Sequence, residues 1–539
     1  MKTNDLWSTL AVVSLLSACG GGDSASNLGV VDNSPARGTL TQYPAARLSF
    51  FTADDFTVKL NADASGRDLL AIAGKPKCGV DVQYLKYGTV GGAGEAIHAT
   101  GALMTPNGGP GCTGSRPIVL YAHGTTTVKN YNIANLLDTT NAAYTEAALV
   151  AATYAAQGFI VVAPNYAGYD ASSLSYTPYL NADQESKEMM DILTAARKAL
   201  PGLMQPVQDN GQLFITGYSQ GGHVAMATHK AMQAAGQTVT ASAPMSGPYA
   251  LAAFSDAVYY GNVNLGSTLF APLLATSYQK AYGNLYKQPS DMYEPAYANG
   301  IETLLPSNLS MAALVGPGGK LPQTALFNRT PPTAPAGAPP ALQMTLNAIS
   351  PPTSPPELAP LFALGFGSSN LINNTARLNY LLDAMANPDG AVPTLTNGAP
   401  APNPSNPMRM ATQKNDLRNW TPMRPMLLCA ANGDPTVFYN VNTHLMQGFW
   451  SSPSPAAAPA GLLNVLDLDS APSSAADPYA AAKMGFAQAK AATAGAAMAA
   501  GASDGGALAV TQAYHGTLIP PFCNAAARGF FQQVSAAGL

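Results

Sequence analysis

The chain has 539 residues, of which 47% are hydrophobic and only 10% charged, with a formal net charge of −4. An average domain carries about 25% charged residues, and no basic stripe runs along this one, so nucleic acid is excluded as a partner. The length allows one large domain with an insertion, or two domains. Such low charge suits an enzyme working on apolar or insoluble substrates, and follows equally from an Ala-rich composition.

The first residues read as a targeting segment. Lys2 is followed by the apolar run 10–16, too short to span a bilayer. It leads into Leu16-Ser17-Ala18-Cys19, which resembles a bacterial lipobox. That reading makes 1–18 a signal peptide, lipidates Cys19 and turns the Gly-rich stretch after it into a flexible tether. Gly20 stands where an inner-membrane retention signal would place Asp, so the expectation is an outer-membrane or surface lipoprotein. The alternative is an ordinary signal peptide with a stray cysteine. Four further cysteines, Cys78, Cys112, Cys429 and Cys523, would then lie in an oxidising compartment. Three pairings are possible. Cys78–Cys112 and Cys429–Cys523 are favoured, with a buried free thiol at Cys429 as the alternative. None of the four has metal-ligand spacing.

Residues 19–80 show no strong periodicity and read as tether and N-terminal extension. The stretches 80–87 and 96–104 alternate with period two and predict an antiparallel hairpin at a sheet edge. From Pro117 the pattern becomes alternating strands and helices. Strands are predicted at 117–122, 158–164, 212–216 and 239–244. Helices are predicted at 146–157, with Thr145 as N-cap, and at 184–200. Such alternation predicts a mostly parallel sheet with helices on both faces. The rhythm stops over 246–422, read as a mainly helical cap insertion with helices at 251–260 and 371–386 and an extended Pro-rich run at 331–360. It resumes with strands at 425–431 and 462–469, an Ala-rich helix at 477–500 and a terminal helix at 524–536. The resulting division is 81–245 for the first half of the core, 246–422 for the cap and 423–539 for the second half.

Between the strand 212–216 and a helix start lies Gly217-Tyr218-Ser219-Gln220-Gly221-Gly222. Strand, G-x-S-x-G turn and helix make a nucleophile elbow. A serine hydroxyl is a weak nucleophile until a base takes its proton, and the elbow exposes Ser219 to that base. Gly217 and Gly221 flank the turn because side chains there would collide with the neighbouring strand and helix. The Gln220 N–H lies near the helix N-terminus, where an oxyanion would form. Of the six histidines, His515 is the candidate base, in a loop beyond the last strand. His123 belongs to the oxyanion loop, while His223 and His229 read as packing or surface residues. Asp434 follows the strand 425–431 in a Gly-Asp-Pro turn and is the candidate acid; Asp467 and Asp469 compete with it. The order Ser219, Asp434, His515 is that of the α/β-hydrolases.

On Tyr121-Ala122-His123-Gly124-Thr125, the elbow, Asn415-Asp416-Leu417 with Trp420-Thr421-Pro422, Gly433-Asp434 and Tyr514-His515, the chain resembles secreted α/β-hydrolases of the esterase/lipase superfamily, especially the cap-bearing secretory-lipase or lipase A type. The resemblance covers roughly 80–539. It implies acyl transfer through an acyl-enzyme with no cofactor and no metal. It also implies a second oxyanion donor in the Thr125 N–H, with Gly124 as runner-up. The implied substrate is a small-molecule, lipid or polymeric ester. Two rival readings are a prolyl-oligopeptidase-like serine peptidase and a non-catalytic surface binding lipoprotein. The absence of repeats before Pro117 weighs against the first, and the presence of all three triad residues against the second.

Overall fold

The computed structural model describes residues 35–204, 207–451 and 457–538. The expected signal peptide, Cys19 and the tether lie outside the described residues. Among those described, the principal sheet has nine strands: β1 (Ala46–Phe51), β2 (Gly79–Val90), β3 (Ala96–Asn107), β4 (Gly114–Ala122), β5 (Ile160–Pro164), β6 (Val207–Tyr218), β7 (Ala241–Met245), β8 (Met426–Ala430) and β9 (Leu463–Asp467). Their spatial order is β1-β2-β3-β5-β4-β6-β7-β8-β9. The β1–β2, β2–β3 and β3–β5 pairs are antiparallel, and every later pair is parallel.

The parallel strands are buried along their length, as strands covered on both faces must be: all five residues of β5, β7 and β8 are inaccessible. Helices Tyr144–Thr153, Ala182–Ala199, Gln220–Ala234 and Ile519–Ala536 contribute residues to this core, among them Val150, Ile192, Val224 and Phe531. Asn181 caps the second of these by accepting from the Gln184 N–H, and Asp183 and Glu185 lie in its first turn, where the helix dipole favours them.

Several local expectations are corrected. The stretch read as an N-terminal extension holds β1 and the helices Ala53–Asn61 and Ala64–Ala73, whose Phe56, Leu60 and Leu69 enter the main core. β1 therefore occupies the sheet edge, and the β2–β3 hairpin lies one strand inside it. Thr145 sits within its helix, which starts at Tyr144 after Ala143 and has no side-chain cap. The Pro-rich run contains the helix Pro340–Ala348, with buried Leu346, and the start of Ala359–Leu364. Proline stands in the first turn of both helices, where its missing N–H has no intrahelical acceptor to lose.

Residues between β7 and β8 supply most of a second hydrophobic cluster, including Tyr278, Tyr293, Phe327, Leu371 and Leu381. Two buried arginines knit this segment together. Arg409 donates to both oxygens of Asp256 at 3.0 and 2.9 Å and to Asp383 at 2.8 Å. Arg418 bridges Asp389 and Asp416, at 2.7 and 2.8 Å from its Nη2. Removing one partner from such a pair would strand a buried charge, at a cost of about 3–5 kcal/mol.

Both favoured disulfides are present, Cys78–Cys112 and Cys429–Cys523. The second joins β8 to the helix Ile519–Ala536. Among the described residues, no helix is long and apolar enough to cross a membrane.

Candidate active site

The strands β4, β6, β7 and β8 are consecutive and parallel in the sheet, so their C-terminal ends lie on one side, the place where open α/β sheets gather their functional loops. In the β4–β6 register Ala122 faces Gly217, so the loop after β4 and the turn after β6 leave the sheet together. Ser219 follows β6 with φ 59° and ψ −120°, a strained conformation for a residue with a side chain, and precedes the helix Gln220–Ala234. Its N–H donates to the Met245 carbonyl at 3.0 Å, which ties the turn to β7. The flanking glycines are needed for space. A Cβ on Gly221 would lie 1.9 Å from the Ala122 carbonyl oxygen, and one on Gly217 would lie 2.3 Å from that of Gly221.

His515, Ser219 and Asp434 come together from 81 to 296 residues apart. His515 Nε2 is 2.8 Å from Ser219 Oγ, and Nδ1 is 2.6 Å from Asp434 Oδ2. With Nδ1–H donating to the carboxylate, the Nε2 lone pair faces the serine hydroxyl, the arrangement a general base requires. The other Asp434 oxygen accepts the Thr436 and Val437 N–H groups at 2.9 and 3.1 Å, so the turn after β8 fixes the carboxylate plane. Asp434 is buried and the His515 side chain is 12% exposed, so the pair is largely shielded from water.

His515 was expected in a loop. It lies instead in a wide π turn, Tyr514–Leu518, between the helices Ala507–Ala513 and Ile519–Ala536. Such turns often sit at functional sites. Pro520, which reads as a helix breaker, occupies the first turn of the following helix, where it is tolerated.

Helix and strand residues missed in the sequence support this trio. The Tyr218 hydroxyl donates to the His515 carbonyl at 2.5 Å and lies 3.3 Å from Nδ1. Asp469, a rival for the acid, accepts from the Gly433 N–H at 2.9 Å, from the Tyr514 hydroxyl and from Lys490 on the Ala-rich helix. It thereby clamps the turn bearing Asp434 to the turn bearing His515. Asp467 accepts from the Asn432 N–H at 3.0 Å and braces the same turn. Only the position of Asp467 and Asp469 at a strand end hinted at this.

For the oxyanion donors the structure separates the candidates. Thr125, Ser219 and Gln220 line one pocket. The Gln220 N–H is the first of its helix, and neither it nor the Thr125 N–H has a protein acceptor among the described residues. The Gly124 N–H is committed: it donates to Glu146 Oε1 at 3.0 Å. Glu146 also accepts from the Tyr121 and Tyr131 hydroxyls, both at 2.9 Å, and so holds the loop after β4. The Gly124 N–H is thus already engaged in this structure. His123 is fully buried and stacks on Tyr131 and Tyr166, with ring centroids 4.3 and 4.0 Å away. Burial pushes its pKa down. His223 and His229 are buried too, so both are packing residues and neither is at the surface.

The pocket beside Ser219 is walled by Leu251, Phe254, Phe270, Leu274 and Leu326 among others. Among the described residues, no Asp, Glu, Lys or Arg lines it.

The prolyl oligopeptidase family profile matches residues 145–268, which include the elbow but neither Asp434 nor His515. No curated protein matches the chain in sequence. The rice cell wall degrading esterase LipA from Xanthomonas oryzae is similar in structure. It is 26% identical, with a TM-score of 0.57 over 84% of this chain and 95% of that one. A Legionella pneumophila protein assigned as a hydrolase overlaps with a TM-score of 0.55 at 16% identity, over 91% of this chain and 97% of that one. Candida antarctica lipase A overlaps more loosely, with a TM-score of 0.45 at 12% identity over 80% of this chain and 76% of that one. Sheet order, elbow, the family match and the likeness to the Xanthomonas esterase agree: the chain has the α/β-hydrolase fold and is a hydrolase of the serine type.

Proposed function

We propose that the protein is a serine carboxylesterase that hydrolyses esters of short to medium acyl chains. The observation that carries this is the uncharged, largely apolar pocket opening onto a Ser219–His515–Asp434 relay. His515 takes the Ser219 proton as Oγ attacks the ester carbonyl. The Gln220 and Thr125 N–H groups receive the developing oxyanion, a contribution of roughly 3–4 kcal/mol per donor. Collapse of the tetrahedral species expels the alcohol, which takes its proton from His515. Water, activated by the same imidazole, then attacks the acyl-enzyme and releases the acid. Residues 246–422 act as a cap whose apolar side chains form the acyl wall. The similar Xanthomonas protein is an esterase, which agrees with this reading.

The prolyl oligopeptidase match favours a second reading, a peptidase. A peptide brings polar amides and often a charged terminus, and the pocket has no charged side chain to receive them. Two disulfides fit export to an oxidising compartment, and we place the protein on the outer membrane through a lipid on Cys19.

Hydrolysis of p-nitrophenyl esters from acetyl to palmitoyl, beside a proline p-nitroanilide, tests these readings with residues 20–539. Ester turnover that vanishes in Ser219→Ala, with an optimum at or below about eight carbons, is the expected result. Turnover of the anilide alone would establish the peptidase. Metabolic labelling with palmitate, lost in Cys19→Ser, tests the anchor.

A further inference from the structure

Behind the oxyanion donors lies a buried carboxyl that the reaction itself does not use. Glu185, in the first turn of the helix Ala182–Ala199, is 2% exposed. Its Oε1 accepts from the Gln220 side-chain Nε2 at 2.8 Å and from the Leu180 N–H at 3.0 Å. Its Oε2 lies 3.5 Å from His223 Nδ1. His223 stands three residues after Gln220, on the same helix face, and its Nε2 is 3.0 Å from the Asn415 carbonyl. Burial pushes the Glu185 carboxyl up, while His223 and Gln220 oppose that shift.

The same short segment reaches the other donor. Leu180 is held at φ 53°, a conformation that side chains rarely adopt, by Glu185 on its N–H and by the Tyr278 hydroxyl on its carbonyl at 3.0 Å. Next to it, the Tyr179 hydroxyl is 3.1 Å from Thr125 Oγ1. One strained turn thus touches the residues of both donors.

We infer that Glu185 is a positioning residue for the oxyanion hole, fixing the first turn of the elbow helix through the Gln220 side chain and the pocket wall through Leu180. The inference rests on the reading of the Gln220 N–H as an oxyanion donor. The Gln220 side chain is an anchor, and only its backbone faces the reaction. Removing either end of the Glu185–Gln220 bond should therefore weaken the same donor, and removing Glu185 should cost somewhat more because it also frees the Leu180 N–H.

The test compares Glu185→Ala, Gln220→Ala, the double variant and Glu185→Gln in the whole chain. The readouts are kcat and KM on p-nitrophenyl butyrate and the inhibition constant of an alkyl trifluoromethyl ketone, whose serine adduct places an oxyanion in the hole. Loss of a whole donor costs about 10²–10³ in kcat; a displaced donor should cost about 10–100-fold. The single variants should lose that factor in kcat and in ketone affinity alike, with KM within about twofold. The double variant should be no worse than Glu185→Ala alone, because Gln220 acts only through Glu185. Glu185→Gln, which keeps an acceptor for Gln220, should recover to within about threefold. Unchanged kcat in Gln220→Ala, multiplying effects in the double variant, or lost kcat with intact ketone affinity would each overturn the proposal. Gln220→Ala leaves Glu185 in place, so it decides the matter even if Glu185→Ala fails to fold. A wild-type protein inactive on every ester would instead overturn the esterase reading on which the inference rests.

Discussion

Cys429 is the penultimate residue of β8, five residues before Asp434, and Cys523 follows His515 by eight residues. Their bond therefore ties the strand that presents the acid to the helix that continues from the base. Changing both to alanine frees a loop with a sequence separation of 94 residues, against 34 for Cys78–Cys112. The loop-closure relation gives about 4.7 kcal/mol for the longer loop and about 3.8 kcal/mol for the shorter at 25 °C. At about 2.1 cal/mol/K per residue the unfolding entropy of some 500 residues is about 1 kcal/mol/K, so each loss lowers Tm by only about 4–5 °C. Urea unfolding followed by fluorescence measures it directly, since Trp420 and Trp450 pack edge to face 5.8 Å apart beside β8. The Cys429/Cys523 pair should lose more stability than the Cys78/Cys112 pair by about 1 kcal/mol. It alone should also lose esterase activity at temperatures below its unfolding midpoint. Equal or reversed stability losses would refute the loop argument. Activity that persists up to the unfolding midpoint would refute the coupling to Asp434 and His515.

Other changes follow from the same contacts. Gly221→Ala places a Cβ 1.9 Å from the Ala122 carbonyl oxygen, so it should abolish activity and destabilise the fold, whereas Gly529→Ala, with nothing within 4 Å, should be neutral or stabilising by up to about 1 kcal/mol; thermal melts and ester assays compare them. Asp469→Ala removes the clamp between the Asp434 and His515 turns and should lower kcat about tenfold or more with KM nearly unchanged, as measured in steady-state assays. Burial pushes Glu188 up to about 7 from its ordinary 4.5, despite bonds from Gln184, Ala167 and Tyr87. A raised acid holds its proton in the folded chain after the unfolded chain has released it. Its contribution is therefore complete below about pH 4.5 and lost as pH rises through about 7, by about 3 kcal/mol. Glu188→Gln should flatten stability against pH across that window in urea titrations; an unchanged slope would show that Glu188 is ionised in the fold.

What could be read in the sequence was local. The elbow is legible because strand, turn and helix are consecutive and because the crowding at Gly217 and Gly221 arises within a few residues of Ser219 and from the strand beside it. Buried parallel strands announce themselves as apolar runs, and Asp434 as a polar residue at the end of one. The cysteine pairing followed from placing Asp434 against His515. Tertiary structure decided the rest. β1 has exposed residues and little periodicity, and it becomes a strand only because β2 offers it an edge. The turn holding His515 is wound between two helices that pack elsewhere, so no run of letters marks it. Thr125 and Gly124 are neighbours, first choice and runner-up as donor, and only the fold shows that Glu146, 22 residues on, takes the Gly124 N–H. Glu185 reads as an ordinary acidic residue, and Asp469 as a rival for the acid, until the fold brings Gln220 to the one and Gly433 and Tyr514 to the other. The division has one physical reason: backbone conformation and apolar patterning are properties of adjacent residues, whereas a hydrogen-bond partner is chosen by distance in space.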